Sequence, residues 1–318
     1  MAVLSVVSLG TGSAEYLTRG GEAAMRNAKQ LVLRTGRSPI ASFLTEQGFD
    51  FDTLDDLYEQ CEDFDAFHQA AAVTLFSRMK EGDLCYVVSD AAFDGTVFAL
   101  QRLKPRDLEL RIVPGVSLAD CCLSLIKRQS GHVRIMSACE LEESKLLPDE
   151  PLLLCELYSR ECAGDCKLKL MELLPDELPV TLITGREEDG TLQAEEIPLM
   201  ELDRQEKYDH LMAVYIPPVP MEQRTRYDMD DLVRIMARLR SPEGCPWDRE
   251  QTYESLLPYL LEESYEYIQA VREDDPDHMY DELGDVLLQV VFHADIESDA
   301  GRFTMDDVCD GVVKKLLF

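Results

Sequence analysis

The pattern of apolar and polar positions divides the chain into three stretches. In the first, short runs rich in β-branched residues alternate with longer segments of helical periodicity. The predicted strands are Val3–Leu9, Leu31–Arg34, Asp83–Ser89 and Leu108–Val113, and the predicted helices are Glu22–Gln30, Ile40–Gln47, Phe64–Lys80 and Thr96–Leu103. Strands separated by helices are typical of parallel βαβ units. We therefore expect a parallel α/β subdomain over residues 1–115.

The pattern changes after residue 115. Five predicted strands follow, and they share one clear helix beyond Ser117–Ile126, predicted over Asp165–Leu174, which indicates a mixed α/β subdomain over residues 116–218. Pro217, Pro218 and Pro220 then interrupt the chain, because proline lacks an amide donor and fixes φ. We place the domain boundary there and expect a second domain over residues 225–318.

The second domain is predicted to be wholly helical. Its predicted helices are Met229–Leu239, Thr252–Arg272, Asp277–Asp295 and one that begins near Thr304, with a Pro/Gly loop over Ser241–Gln251. The complete fold prediction is an α/β domain of two subdomains followed by an all-α domain of four helices.

Composition narrows the function classes. The 318 residues carry a net charge of -31 and are 46% hydrophobic, which suits about two globular domains. So acidic a chain is a poor partner for nucleic acid or for anionic membranes, and no apolar run reaches the ~20 residues that cross a bilayer. The ten cysteines lack the spacing of a zinc ribbon, so we expect reduced thiols in a soluble, cytoplasmic protein.

Acidic residues cluster on the predicted helix Thr252–Arg272. At about 100° per residue, Glu262, Glu263 and Glu266 lie together. They lie opposite an apolar seam at 4-3-4-3 spacing, formed by Leu257, Leu261, Ser264, Ile268 and Val271. Taken alone, this pattern is typical of an amphipathic helix that buries the seam and exposes its acids.

The next helix changes this interpretation. Residues 286–294 are apolar around most of the helix, so we expect it to be buried on several sides, yet Glu282 and Asp285 share one face at its start. Carboxylates that enter a buried helix are costly without compensation, and neither helix has a Lys or Arg at the right spacing. A hard divalent cation such as Mg²⁺ would compensate them. A purely structural acidic network remains the alternative.

These residues carry a family resemblance. Glu262-Glu263-Ser-Tyr-Glu266, followed by Glu282-Leu-Gly-Asp285, resembles the EExxE…ExxD signature of MazG-like nucleoside triphosphate pyrophosphohydrolases, and Gly244-Cys-Pro-Trp-Asp248 agrees with it. The resemblance implies a four-helix module that pairs as a dimer through the helical domain and cleaves NTPs to NMP and pyrophosphate. It implies Mg²⁺, or alternatively Mn²⁺, held by Glu263, Glu266, Glu282 and Asp285, with Glu262 and Glu263 as catalytic carboxylates.

Two further residues are candidates for contact with the nucleotide. Trp247 is the only tryptophan and lies in a loop, where it would stack on a base or serve as a packing anchor. Lys315 would contact phosphates or act as an ordinary partner of the helix dipole. The family continues past a Lys-Leu pair like Lys315-Leu316 into a basic segment, whereas this chain ends at Phe318. We therefore expect the module to be incomplete at its carboxyl end.

The first 218 residues carry a weaker resemblance. Leu9-Gly10-Thr-Gly12-Ser13 and Ile112-Val-Pro-Gly-Val-Ser117 each follow a predicted strand. With the two-subdomain pattern, the region resembles the SAM-dependent tetrapyrrole methylases, and the whole chain resembles YabN-like fusion proteins. The resemblance implies a SAM cleft lined by Gly10, Gly12, Asp90, Pro114, Gly115, Val116 and Ser117. The family's Pro-Gly-[Asp/His]-Pro loop here reads Ser89-Asp-Ala-Ala-Phe93, which puts methyl transfer in question.

Three functions follow from these patterns. The leading hypothesis is a Mg²⁺-dependent NTP pyrophosphohydrolase with a methylase-like accessory domain. The second is a SAM-dependent methyltransferase whose helical domain dimerises. The third is a non-catalytic protein that senses a nucleotide or a metal.

Overall fold

The computed structural model describes residues 2–127, 131–141, 145–186 and 189–317. The chain forms two compact units, Met1–Thr225 and Arg226–Phe318, which we call the amino-terminal and carboxyl-terminal units. Each is described by itself below.

The amino-terminal unit begins with a parallel sheet of five strands in the order β3-β2-β4-β1-β5. The strands are β1 (Val3–Ser8), β2 (Gln30–Leu33), β3 (Asp52–Thr53), β4 (Leu84–Val88) and β5 (Glu109–Val113). Helices α1 (Arg19–Asn27), α2 (Ile40–Glu46), α3 (Asp55–Gln60), α4 (Phe64–Arg78) and α5 (Gly95–Leu103) connect them. One face of the sheet buries Phe67, Leu75 and Leu100, and the other buries Met25 and Leu44. The parallel α/β prediction is confirmed.

A second sheet of five strands completes this unit, in the order β6-β7-β10-β8-β9. Its strands are β6 (Arg134–Ser137), β7 (Leu152–Cys155), β8 (Pro179–Gly185), β9 (Leu192–Pro198) and β10 (Ala213–Ile216), with helices α6 (Leu118–Leu125) and α7 (Arg160–Met171). β6 and β7 run parallel and the other neighbouring pairs are antiparallel. The mixed α/β subdomain is therefore confirmed.

Several element boundaries differ from the prediction because of local capping. The Thr18 hydroxyl accepts a hydrogen bond from the Gly21 amide at 3.0 Å, so α1 starts at Arg19, and Gln30 belongs to β2. Ser159 caps α7 in the same manner, so this helix begins five residues before the predicted Asp165. The short helix α3 was not predicted.

The carboxyl-terminal unit is wholly helical over its described residues. It contains α8 (Met229–Arg240), α9 (Pro246–Glu250), α10 (Tyr253–Glu273), α11 (Pro276–Asp299) and α12 (Met305–Leu317). The loop predicted over Ser241–Gln251 was wrong in part, because Pro246 starts the helical turn of α9. Met236, Leu256, Val291 and Phe292 form the core. None of the described helices combines the length and apolarity that a membrane span requires.

Candidate functional site

Three carboxylates from two helices converge in the carboxyl-terminal unit. Glu263 and Glu266 are three residues apart on α10 and therefore share a face, and Glu282 lies on the adjacent helix α11. One carboxylate oxygen from each lies within 4.8 Å of the others. We call these three residues the acid cluster. The helix break at Asp274–Asp275 folds α11 back against α10, which brings together residues that are far apart in sequence.

Two other predicted acids lie beside the acid cluster rather than in it. Asp285 is exposed on α11, and its negative charge contributes to the raised pKa of Glu263. Glu262 is exposed on α10, and its negative charge also helps to raise the pKa of Glu263. The structure therefore gathers all five predicted acids in one region, but only three of them are within mutual reach of a single ion.

Glu282 is the buried member of the acid cluster, with 8% of its surface exposed. Its Oε1 lies 2.9 Å from Nε2 of His278, one helical turn earlier. Its Oε2 is buried and has no hydrogen-bond partner among the described residues. Sequence reasoning missed His278, although the four-residue spacing to Glu282 was the available signal.

Electrostatics favour a cation at the acid cluster. Loss of hydration raises the pKa of Glu263, and the negative charges of Asp285, Glu266 and Glu282 raise it further. An oxygen-only donor set suits a hard divalent ion such as Mg²⁺ or Mn²⁺, whereas a soft metal would favour thiolate ligands. The unpartnered Oε2 of Glu282 is a further ligand atom without a protein partner. The residues present therefore fit a divalent metal.

The apolar seam of α10 is exposed, whereas an amphipathic helix normally buries its apolar side. Leu257, Leu261, Ile268 and Val271 remain 41–60% exposed, whereas Leu256 and Ala270 are buried. On α11, Leu283, Leu287 and Val290 are also 37–53% exposed, so this helix is less enclosed than predicted. The helix pair packs through the side that carries Glu263, and the apolar seam lies about a third of a turn away.

The two predicted nucleotide contacts lie on other elements. Trp247 is 53% exposed on α9, and its ring meets that of Tyr259 edge-on at 6.3 Å. Lys315 is exposed in the last turn of α12, next to Lys314, which pairs with Asp310 at 2.6 Å. Neither residue belongs to the acid cluster.

The predicted SAM residues meet at one edge of the first sheet. β4, β1 and β5 are neighbours in this parallel sheet, so the loops after them adjoin. Gly10 and Gly12 have φ of +58° and +81°, in the left-handed region that favours glycine. Gly115 has no room for a side chain, since a Cβ there would lie 2.4 Å from the Ser8 carbonyl oxygen.

The remaining predicted SAM residues belong to the same loops. Asp90 is 6% exposed, its Oδ2 has no partner among the described residues, and burial raises its pKa. Ser117 caps α6 in a capping box with Asp120, whereas the Pro114 and Val116 carbonyls approach Thr18 and Gly10. The glycine turns and the unpartnered carboxyl oxygen fit a small polar cofactor at this edge.

Comparisons with known proteins give two family matches. The model of the tetrapyrrole (corrin/porphyrin) methylases matches residues 3–185, and that of the MazG nucleotide pyrophosphohydrolase domain matches residues 251–317. Both matches agree with the resemblances found in the sequence.

Individual proteins are also similar to this chain. The uncharacterized protein YabN of Bacillus subtilis is 35% identical over 99% of this chain, which spans 65% of that protein's length. The nucleoside triphosphate pyrophosphohydrolase/pyrophosphatase MazG of Thermotoga maritima is 59% identical over 28% of this chain and 34% of its own. The crystal structure of uroporphyrin-III-C-methyltransferase from Thermus thermophilus gives a TM-score of 0.49 at 16% identity, over 69% of this chain and 95% of that one.

Proposed function

Because this chain belongs to the tetrapyrrole methylase family and carries a MazG nucleotide pyrophosphohydrolase domain, we propose that it hydrolyses nucleoside triphosphates to nucleoside monophosphates and pyrophosphate. The observation that carries the proposal is the convergence of the acid cluster, Glu263, Glu266 and Glu282, from two helices. The 59% identity to the Thermotoga maritima pyrophosphohydrolase over 88 residues supports it. We assign the two functional domains to residues 1–218 and 225–318.

We assign the metal to the acid cluster, Glu263, Glu266 and Glu282, with the neighbouring Asp285 as a fourth ligand that would turn toward a bound ion. Mg²⁺ would be the physiological ion and Mn²⁺ a substitute. A bound divalent ion would neutralise the triphosphate and lower the pKa of a bound water. Glu262 precedes Glu263 and is exposed, so its carboxylate is available to accept a proton from the attacking water. Glu263 assists by orienting that water.

We assign nucleotide binding to Trp247 and Lys315. The exposed Trp247 ring offers a stacking surface for a base, and its edge contact with Tyr259 holds the ring in place. Lys315 offers a positive charge for the phosphates at the end of α12. At the acid cluster, the excess of carboxylates favours phosphates that arrive with a divalent cation.

We further propose that the protein is a homodimer through its helical unit and acts in the cytoplasm. The apolar seam and the exposed leucines of α11 form a large uncovered apolar surface, which a second copy would bury. The ten free cysteines suit a reducing compartment.

A second activity, SAM binding in the amino-terminal unit, is favoured by the glycine turns and by the unpartnered oxygen of Asp90. These residues would bind and orient the cofactor at the ends of β1, β4 and β5. Methyl transfer itself is an alternative function of this unit.

The test is a product assay on the full chain. Each NTP is incubated with Mg²⁺, and NMP and pyrophosphate are quantified. We expect Glu263→Gln and Glu282→Gln to lower kcat/KM by at least ~100-fold, because a metal ligand is lost. Glu254→Gln, an exposed acid in the first turn of α10, serves as the matched control and should retain activity. Release of NDP and phosphate, or full activity in the two cluster variants, would contradict the proposal.

A further inference from the structure

A cavity of about 550 Å³ lies in the amino-terminal unit, beside the carboxyl end of β2 and the start of α3. Its volume is within the range of small-molecule sites. Four aromatic rings and two arginines contribute to its lining: Tyr58, Phe67, Tyr158, Tyr208, Arg34 and Arg37. Among the described residues that line it, none is a predicted SAM residue. The cavity is therefore a second candidate site in this unit.

Arg34 is the central polar group of this cavity, with only 15% of its side chain exposed. Its Nη1 lies 3.0 Å from Asp94 Oδ2 and 3.0 Å from Glu156 Oε1. Both contacts use the same nitrogen, so Nε and Nη2 have no partner within the described part of the chain. Glu156 adopts φ of 65°, which is uncommon for a residue other than glycine and often marks a functional position.

The charge balance around Arg34 disfavours a simple anion site. Asp94 and Glu156 together offset the guanidinium charge, although burial raises the pKa of Glu156. The free donors of Arg34 therefore suit uncharged acceptors, such as a carbonyl oxygen and a ring nitrogen side by side.

His210 is a second polar group of the lining and, unlike Arg34, it is uncharged. Burial and the neighbouring charge of Arg34 lower the pKa of His210, which keeps its imidazole neutral. Its Nε2 is buried and has no partner among the described residues. Two acids of the lining are already occupied, since Asp55 accepts from the Gly36 amide and Asp209 from the Leu211 amide, each at 2.8 Å.

We propose that this cavity binds a guanine nucleoside or nucleotide. The Nε and Nη2 edge of Arg34 matches the O6 and N7 acceptors of guanine, the pairing that arginine makes with this base in nucleic acids. The Tyr58 and Tyr158 rings supply stacking surfaces for the purine. Adenine is disfavoured, because its amino group would face the arginine donors. Arg37 is exposed at the cavity and can contact a phosphate.

Calorimetry on the full chain in EDTA tests the proposal. Chelation removes divalent ions, so the acid cluster repels phosphates and the hydrolase site does not contribute. We expect guanosine and GMP to bind with one site per chain, and adenosine and AMP to bind at least ~10-fold more weakly. Arg37→Ala should lower the affinity for GMP and leave the affinity for guanosine unchanged. This result is independent of the proposed hydrolase activity.

Two substitutions place binding in the cavity. Arg34→Lys keeps the charge but loses the paired donors, and we expect at least a ~10-fold loss of guanosine affinity. Arg106→Lys, at an exposed arginine of the same unit, is the matched control. If Arg34→Lys fails to fold, Tyr58→Leu is the second variant, because leucine retains an apolar contact with Phe67. It removes a stacking ring and should therefore lower the affinity for guanosine.

Four outcomes would overturn the proposal. Equal affinity for guanosine and adenosine would show that Arg34 does not distinguish guanine from adenine. Competitive displacement of guanosine by SAM would place binding in the cofactor cleft. Unchanged binding by a folded Arg34→Lys or Tyr58→Leu variant would place it elsewhere on the chain, and absence of guanosine binding would exclude the site altogether.

Discussion

His278 Nε2 lies 2.9 Å from Glu282 Oε1, one helical turn apart on α11. This contact occupies one oxygen of the buried carboxylate and leaves Oε2 without a partner among the described residues. An imidazole that holds one oxygen fixes the orientation of the other. We infer that His278 positions Glu282 for its role in the acid cluster.

The first prediction concerns this positioning. His278→Ala should raise the Mg²⁺ concentration needed for half-maximal activity by about 10-fold, since loss of a residue that orients a metal ligand typically costs that much. At saturating Mg²⁺, kcat should change much less. His278→Gln can still donate a hydrogen bond to Glu282 and should recover most of the affinity. An equal fall in kcat at saturating Mg²⁺ for both variants would contradict a positioning role.

The second prediction concerns the pH dependence of stability without metal. The pKa of Glu263 is raised in the folded state by burial and by its acidic neighbours, so ionising this group opposes folding. In EDTA, raising the pH through the folded pKa of Glu263 should therefore lower the free energy of unfolding. Glu263→Gln should remove this part of the loss, as measured by urea unfolding from pH 4 to pH 7.

Mg²⁺ provides the control for the second prediction. Binding of the ion at the acid cluster should offset the repulsion between the carboxylates. With Mg²⁺ present, the free energy of unfolding of the wild type should therefore no longer fall more steeply with rising pH than that of Glu263→Gln. A wild type whose pH profile in EDTA is identical to that of Glu263→Gln would show that this carboxyl is not destabilised in the folded chain.

Sequence patterns were sufficient for the fold and for the proximity of Glu263, Glu266 and Glu282. Glu263 and Glu266 share a face because of their spacing, and the short break before α11 brings Glu282 to them. The His278 contact is also encoded by spacing, since His278 and Glu282 are four residues apart on one helix, but a pattern of Lys and Arg partners does not include it. Arg34 and Glu156 are different, since 122 residues separate them and no local pattern relates them.

The sequence pattern did not predict that the apolar seam would be exposed. Periodicity identifies an apolar stripe on α10, but it does not say which neighbour covers that stripe. Within one chain, α11 packs on the side of Glu263 instead, and Leu261 and Ile268 stay 60% and 41% exposed. An amphipathic pattern therefore predicts that a surface is to be buried, and the covering partner has to come from elsewhere.

The third prediction follows from this exposed surface. If a second copy covers the apolar seam, Leu261→Glu should convert a dimer into a monomer, because it buries a charge in an apolar interface. Sedimentation equilibrium measures the mass, and far-UV circular dichroism checks that the helices remain. Leu168→Glu is the matched control, since Leu168 is 64% exposed on α7 of the other unit. A dimer that survives Leu261→Glu would place the interface on a different surface.

The last prediction concerns the glycine turn after β1. Gly12 has φ of +81°, and a Cβ there would lie 2.5 Å from Ser38 Oγ, so Gly12→Val strains the backbone and crowds the turn. If the proposed cleft binds SAM, this variant should lose at least ~10-fold in affinity by calorimetry, whereas NTP hydrolysis in the other unit should continue. Gly131→Val is the control, because nothing lies within 4 Å of a Cβ at that glycine. Wild-type affinity for SAM in a folded Gly12→Val variant would mean that the turn does not contact the cofactor. Absence of SAM binding by the wild type would remove the cofactor proposal and leave the hydrolase proposal intact.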